Sequence, residues 1–256
     1  MMGEQIMEYK LRNPNEWPNG GMCLGRGMWE FIRAYLPDNS NILELGAGWG
    51  TQKLAENYNV YSIEDNIDWV TPYLNVADVV HAPIKPYDKE YTIPITDIYF
   101  DKNEQTYPNT LWQDILNSKH LLTIFEKDGK LPVPVYPGDT GWYNPDIVKS
   151  FLSDKEYDII IVDGPNGFIG RGGFYKHIDM FDTDKLIIID DFYGQRPETI
   201  MIQTIMKKLG RDYISVYGKS SGDHGLVIPP AGVDTQEFYE KYSKYLKEIN
   251  PKPSYV

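Results

Sequence analysis

Cysteine is almost absent from this chain, which has a single one, Cys23, among its 256 residues. One cysteine cannot form a disulfide within the chain, and disulfide-dependent domains belong to oxidising compartments. The N-terminal segment also lacks a basic stretch followed by an apolar core, which is the pattern of a secretory signal. We therefore expect a cytoplasmic protein.

Long apolar runs and an excess of positive charge are missing as well. A membrane-spanning helix needs roughly 18 or more consecutive apolar residues, and every apolar run here is interrupted after a few positions. The chain carries 25 Lys and Arg against 37 Asp and Glu, for a net charge of −12. Because nucleic-acid binders usually present a basic surface, we expect neither a nucleic acid nor a membrane as partner.

The apolar residues that are present, 41% of the chain, occur in short β-branched runs bounded by polar residues or glycine. These runs predict buried strands at residues 42–45, 60–63, 79–80, 159–162 and 186–189. Helices are predicted around and between them, at residues 28–36, 51–58, 67–74, 145–152, 175–181 and 197–209. Alternating strands and helices favour crossover connections and a parallel sheet with both faces covered.

The C-terminal part completes this arrangement. Residues 213–217 and 225–228 predict two more strands that suit an antiparallel edge, and residues 235–249 predict a final amphipathic helix. We therefore predict an α/β fold with a doubly wound, mostly parallel, seven-stranded sheet of Rossmann-like type.

The predicted organisation has three parts: an N-terminal loop and helix (1–40), the sheet domain (41–228), and a C-terminal helix and tail (229–256). Residues from about 84 to 144 fall outside the alternation and are rich in Pro, Tyr and Asp. Because a structureless loop of that length is uncommon in a compact domain, we predict an inserted segment with a helix at 111–125. It can be a lid, a substrate wall, an oligomer contact or a structural decoration, and Tyr-rich surfaces leave a homodimer open.

One stretch carries the most information about a ligand. The first predicted strand runs into three glycines at alternate positions and then into a helix, in the sequence NILELGAGWGT at 41–51. Glycines permit a tight turn and let a ligand approach the backbone, and N–H groups at the following helix start favour an anionic or polar group. Such a turn also occurs without a ligand, so a second signal is needed.

The second signal is Glu64, which follows the second predicted strand and lies 18 residues after Gly46. In a doubly wound sheet an acid at this place accepts the ribose hydroxyls of a nucleoside. The other interpretation is a solvated carboxylate at a strand end. A dinucleotide site would have G-x-G-x-x-G, and the spacing here differs by one residue, so an NAD(P)-dependent oxidoreductase stays as an alternative hypothesis.

The three glycines, with Glu44 two residues upstream, resemble the first motif of class I S-adenosylmethionine-dependent methyltransferases. This resemblance implies a Rossmann-like methyltransferase fold and S-adenosylmethionine as cofactor. It also implies that Glu44 helps hold the methionine amino group, that the glycines pass beneath the cofactor and that Glu64 binds its ribose. The predicted cofactor-binding residues are Glu44, Gly46, Ala47, Gly48, Glu64, Asp65, His81, Ala82 and Asp163.

Further short patterns are similar to a bacterial subgroup of this superfamily, over about residues 25–217 apart from 88–139. These patterns are HAPI at 81–84, GWY at 141–143, YDIIIVDGP at 157–165, Arg171 with Tyr175, and IDD at 189–191 with Arg196 and Glu198. The pattern of the subgroup does not require the inserted segment, so the resemblance does not identify the acceptor.

Acidic residues follow two more predicted strands: Asp163 after the fourth, and Asp190 with Asp191 after the fifth. The carboxyl ends of these strands should share one edge of the sheet, where open α/β folds bind ligands. Carboxylates brought together there repel one another unless they are protonated, hydrogen-bonded or neutralised by a cation. A hard divalent ion with oxygen ligands would suit them.

The same acidic pattern is similar to metal-dependent O-methyltransferases, and this resemblance implies Mg²⁺ held by Asp163, Asp190 and Asp191. In that family the metal orients a substrate hydroxyl and lowers its pKa before a base removes the proton. The alternative is that Asp163 lines the cofactor pocket and that the aspartate pair caps the next turn.

The candidate catalytic residues are Asp163 and His177. In sequence His177 follows Arg171 and Lys176, and a basic cluster there would suit a phosphate or carboxylate on the acceptor. His177 can equally be an ordinary loop histidine. The other candidate bases, with the same alternative, are His81 and His224.

Taken together, these patterns predict an S-adenosylmethionine-dependent methyltransferase that acts on oxygen of a small-molecule or carbohydrate acceptor. The alternatives are an NAD(P)-dependent oxidoreductase and a noncatalytic nucleoside-binding subunit. Methyl transfer needs no covalent enzyme nucleophile, because the sulfonium already carries a good leaving group and the protein mainly positions the reactants.

Overall fold

Ten short strands are present in the part of the chain that the structure describes. This structure is a computed structural model, and it describes residues 24–86, 141–165, 171–190, 205–206, 208–216 and 225–250. The strands are β1 (Asn41–Leu45), β2 (Asn59–Glu64), β3 (Asp78–His81), β4 (Ile84–Pro86), β5 (Gly141–Tyr143), β6 (Ile159–Val162), β7 (Leu186–Ile189), β8 (Ile214–Val216), β9 (Leu226–Ile228) and β10 (Leu246–Ile249). Strands β4 and β5 pair with each other, and the other eight form one sheet.

The eight-stranded sheet has the order β10-β8-β9-β7-β6-β1-β2-β3. Its centre is parallel, because β1 pairs in parallel with β2 and β6, β2 with β3, and β6 with β7. The pairs at the other end are antiparallel: β7 with β9, β9 with β8, and β8 with β10. The chain runs outward from β1 in both directions, so the strand order reverses between β1 and β6. Open α/β sheets bind ligands outside the carboxyl ends of the strands at such a point.

The fold class predicted from the sequence is confirmed, with one strand more than expected. The predicted helix at 235–249 ends early, at Lys241, and Leu246–Ile249 forms β10 instead. Leu246 is buried in the core, a role that suits either a helix or a strand. The strand results because the open edge of β8 offers backbone groups, and residues 246–249 pair with it antiparallel.

Six α-helices lie wholly within the described residues: α1 (Arg26–Tyr35), α2 (Trp49–Ala55), α3 (Ile67–Val70), α4 (Pro145–Leu152), α5 (Gly172–Lys176) and α6 (Thr235–Lys241). Helix α4 coincides with its prediction, since Asn144 caps it by accepting the Asp146 N–H and Pro145 fits the first helical position. Of the predicted helix 197–209, only 205, 206, 208 and 209 are described, and these are helical. No described helix is long and apolar enough to cross a membrane.

The core is split between the two faces of the sheet, as a doubly wound fold requires. Alternation along β1 sends Leu43 and Leu45 to one face and Ile42 to the other. The first face is covered by α4, α5 and β5, and the second by α1, α2 and α6. The buried side chains that these elements contribute are Val148, Phe174 and Trp142 on the first face, and Phe31, Leu54 and Phe238 on the second.

Strands β4 and β5 bound the segment for which the sequence predicts an insertion. They pair antiparallel, with Ile84 opposite Tyr143 and Pro86 opposite Gly141. Residues 87–140, including the predicted helix at 111–125, lie outside the described residues. The chain therefore leaves at Pro86 and returns beside it at Gly141, and β5 places an aromatic pair in the core.

Candidate active site

The carboxyl ends of four strands meet at one edge of the sheet. Leu45 pairs with Ile63 on one side and Val162 on the other, and Val162 pairs with Ile189. The residues at or just after these strand ends therefore come together, which confirms the predicted placement of this group at one edge. The group comprises Gly46, Glu64, Asp163 and Asp190.

Gly46 makes the sharp turn out of β1. Its N–H donates to the Ile63 carbonyl at 2.8 Å, and its φ of +102° lies in the region that favours glycine. A Cβ at this position would also lie 2.9 Å from the Gly164 nitrogen. Gly48, in contrast, has extended backbone with φ −164°, and a Cβ on Gly50 would lie 3.1 Å from the Leu24 nitrogen. Of the three glycines, only Gly46 is required by its conformation.

A chain of hydrogen bonds holds the glycine turn in place. The Gly48 N–H donates to Thr51 Oγ1 at 2.9 Å, and the Thr51 hydroxyl donates to Glu44 Oε2 at 2.6 Å. The Ser62 hydroxyl donates to the same oxygen at 2.9 Å. The buried Glu44 carboxyl thus ties the turn to α2 and β2. Neither Thr51 nor Ser62 is among the residues predicted from the sequence, although a hydroxyl inside the apolar run of β2 was a usable signal.

Burial changes the protonation of Glu44. Removal of the carboxyl from water raises its pKa from 4.5 to about 7, although the hydrogen bonds from Thr51 and Ser62 act in the opposite direction. Near neutral pH the group therefore exchanges between its neutral and ionised forms. A cationic ligand group nearby would favour the ionised form.

Glu64 joins the loops that follow β1 and β2. Its Oε2 accepts the Ala47 N–H at 2.9 Å and its Oε1 accepts the Asn66 N–H at 2.8 Å. Burial raises its pKa to about 7, against the effect of these backbone hydrogen bonds. Each carboxylate oxygen has two lone pairs, so both can still accept a hydrogen bond from a ligand hydroxyl.

The end of β3 is hydrogen-bonded to the end of β2. The Ala82 N–H donates to the Glu64 carbonyl at 2.8 Å, and His81 Nε2 lies 3.0 Å from the Asp65 carbonyl oxygen. Burial also raises the pKa of the Asp65 carboxyl. Asp65, His81 and Ala82 therefore share one edge with Glu64, while their contact with a cofactor stays a prediction.

Arg171 neutralises the acidic end of β6. Its Nη2 donates to Asp163 Oδ1 at 3.0 Å and its Nη1 donates to the Asp190 carbonyl at 2.8 Å, with only 4% of the residue exposed. The expectation that Arg171 forms part of a basic cluster open to an anionic acceptor is therefore wrong. A guanidinium pairs with a carboxylate through several rigid donors, so its burial here follows from the nearby aspartate.

The structure describes the predicted metal site only in part. Asp191 lies outside the described residues, and Asp163 is paired with the cation of Arg171. Among the described residues, no three His, Cys, Asp or Glu side chains form a group that could hold a metal ion. Mg²⁺ binding by all three aspartates therefore stays a prediction.

His177 lies at the end of α5, where its ring stacks on Trp142 with centroids 4.8 Å apart and an interplanar angle of 16°. Burial and the neighbouring Lys176 lower its pKa. The ring is therefore neutral at pH 7 and can accept a proton. His224 lies outside the described residues.

Comparisons with known proteins give structural matches only. No protein-family model matches the chain, and no curated protein matches it in sequence. One similar structure is a TehB-like S-adenosylmethionine-dependent methyltransferase from Corynebacterium glutamicum, with 12% identity and a TM-score of 0.37 over 80% of this chain and 87% of that one. A second is human methyltransferase-like protein 13 with S-adenosylhomocysteine, with 11% identity and a TM-score of 0.38 over 83% of this chain and 82% of that one. A third is a methyltransferase-like protein from Silicibacter pomeroyi, with 16% identity and a TM-score of 0.40 over 88% of this chain and 95% of that one.

Proposed function

We propose that this chain is an S-adenosylmethionine-dependent methyltransferase and that Glu64 accepts the ribose hydroxyls of the cofactor. The observation that carries the proposal is the Glu64 carboxylate, which is buried, fixed by two backbone N–H groups and next to the positive-φ turn at Gly46. It ends β2, the strand next to β1, and the strand order reverses on the other side of β1, which is the usual ligand position in an open α/β sheet.

The residues around Glu64 would bind and orient the cofactor. Gly46 lacks a side chain where the turn passes closest to Gly164, and Ala47 and Gly48 continue that surface. Asp65, His81 and Ala82 would form the wall beyond the ribose. Glu44 supports the turn from below and, in its ionised form, favours the cationic amino group of the methionine part.

The bound cofactor supplies a methyl group on a sulfonium with a good leaving group. The chain then has to hold an acceptor in line and remove its proton. In this proposal the acceptor is a hydroxyl of a small molecule or carbohydrate, Asp163 positions it, and the neutral ring of His177 takes the proton.

Calorimetric titration with S-adenosylmethionine and S-adenosylhomocysteine tests the proposal directly. We expect both to bind at micromolar concentration, and we expect Glu64→Gln to weaken binding at least about tenfold, since a charge-assisted hydrogen bond contributes on the order of 1.5–3 kcal/mol. Glu248→Gln, an exposed glutamate on β10, is the matched control and should bind like wild type.

Two results would reject the proposal. One is no binding of either compound by folded wild-type protein, and the other is unchanged binding by folded Glu64→Gln. NAD(H) titrated in parallel tests the oxidoreductase, which would also use Glu64. Mass spectrometry of acceptor mixtures distinguishes an enzyme from a noncatalytic nucleoside-binding subunit, because only the enzyme produces a methylated product.

A further inference from the structure

Tyr143 ends β5 at the edge of the sheet where β1 and β6 also end. Its side chain is 0% exposed. A Cβ built on Gly164 would lie 2.2 Å from the Tyr143 hydroxyl and 2.7 Å from the Gly46 Cα. The hydroxyl therefore lies where the loop after β6 touches the loop after β1, within the candidate active site.

The Tyr143 hydroxyl has no hydrogen-bond partner within the part of the chain that the structure describes. Buried polar groups in native proteins are nearly always paired, and exceptions call for a functional or structural reason. Tyr157 shows the usual situation: its hydroxyl accepts the Asp182 N–H at 2.7 Å. Tyr157 precedes β6 and so lies at the opposite edge of the sheet.

The surroundings of Tyr143 keep its hydroxyl protonated. Burial raises the pKa of this phenol well above 10, and the carboxylates of Glu64, Asp65 and Asp163 raise it further, against the opposite effect of Arg171. A neutral phenol offers one O–H donor. Because this donor is unpaired, a ligand oxygen that reached it would complete its hydrogen bonding.

We propose that the Tyr143 hydroxyl donates a hydrogen bond to an oxygen of the bound cofactor, which makes Tyr143 a cofactor-binding residue. This inference rests on the proposed function. The hydroxyl is covered in this structure, so cofactor binding has to separate the two loops at the contact between Gly46 and Gly164. The cofactor offers acceptor oxygens of two kinds, on its ribose and on its carboxylate.

The test compares two Tyr→Phe variants by titration with S-adenosylhomocysteine and by thermal unfolding. We expect Tyr143→Phe to bind about tenfold more weakly while its unliganded melting temperature stays unchanged or rises, because an unpaired hydroxyl has been removed. We expect Tyr157→Phe to show the reverse, with unchanged affinity and a lower melting temperature, because it loses a paired hydroxyl. A purely structural role of Tyr143 would not produce this opposite pair of effects.

The same titration with 5′-methylthioadenosine, which has the ribose and lacks the carboxylate, separates the two kinds of oxygen. Equal weakening for both compounds supports a bond to the ribose, and weakening for S-adenosylhomocysteine alone supports a bond to the carboxylate. If wild type binds and folded Tyr143→Phe binds each compound as tightly as wild type does, the inference is overturned and the proposed function stays intact. Failure of wild type to bind S-adenosylhomocysteine would instead reject the proposed function.

Discussion

The Thr51 hydroxyl lies 2.6 Å from the Glu44 carboxyl and donates to it, while its oxygen accepts the Gly48 N–H at 2.9 Å. One side chain on α2 therefore joins the buried acid of β1 to the backbone of the glycine turn. The glycine turn is held in its conformation by this side chain as well as by its glycines.

Replacement of Thr51 by Val should destabilise the chain by about 1–3 kcal/mol, because the Gly48 N–H loses its acceptor and the Glu44 carboxyl keeps only the hydrogen bond from Ser62. Thr51→Ser keeps the hydroxyl and should lose much less. Urea unfolding measures both values. A loss in Thr51→Ser together with no loss in Thr51→Val would show that the methyl group of Thr51 matters and that the hydroxyl does not.

Glu44 should make stability depend on pH. Its pKa is about 7 in the folded chain against an ordinary 4.5, so between these values the folded chain holds a proton that the unfolded chain has lost. This contribution is complete below about pH 4.5 and disappears as the pH rises through about 7. Relative to Glu44→Gln, wild type should therefore lose up to about 3 kcal/mol between the two values. If urea unfolding gave the same stability difference between wild type and Glu44→Gln at every pH in this range, the raised pKa of Glu44 would be contradicted.

Two glycines with positive φ allow the stability cost of the backbone conformation to be measured apart from the cost of a close contact. Gly210 has φ +63° and nothing within 4 Å of an added Cβ, whereas a Cβ on Gly46 would press on Gly164. We expect Gly210→Ala to cost about 1 kcal/mol from its conformation alone. Gly46→Ala should cost a further 1–3 kcal/mol or so from overpacking and should weaken binding of S-adenosylhomocysteine. Equal losses of stability in urea would indicate that the loops move apart freely.

Removal of the Arg171 guanidinium by Arg171→Met should destabilise the chain by about 3 kcal/mol or less, the lower end of the range for breaking a buried ion pair, because the Asp163 side chain is 22% exposed. Asp163→Asn in the Arg171→Met background should recover part of the loss. Urea unfolding of the two single variants and the double variant measures this coupling. Strict additivity would show that the two side chains do not stabilise each other.

Much of the fold could be predicted because it depends on local pattern. The β-branched runs at 159–162 and 186–189 became β6 and β7 with the same bounds, since a buried parallel strand needs an apolar residue at every position. The parallel order then brought Glu64 and Asp163 to one edge. Residues 246–249 were predicted wrongly, because pairing with β8 is a nonlocal contact that helical periodicity does not contain.

The site was predictable in position and less so in its contacts. Glu64 was identified from its distance to the glycine turn, a spacing that the strand–helix–strand unit sets. The pairing of Arg171 with Asp163 was missed, since it depends on how a loop folds back over the sheet edge. The hydroxyl of Tyr143 was missed for a similar reason: it reaches this edge only because β5 packs beside β4.

The pairing of β4 with β5 also bears on how this chain can vary. Because Pro86 and Gly141 are directly opposite each other, any peptide joining them starts and finishes at neighbouring points, whatever its length. Additions and deletions between these two residues need not alter the register of the main sheet. The length of this connecting peptide can thus change while Trp142 and Tyr143 keep their buried places beside the main sheet.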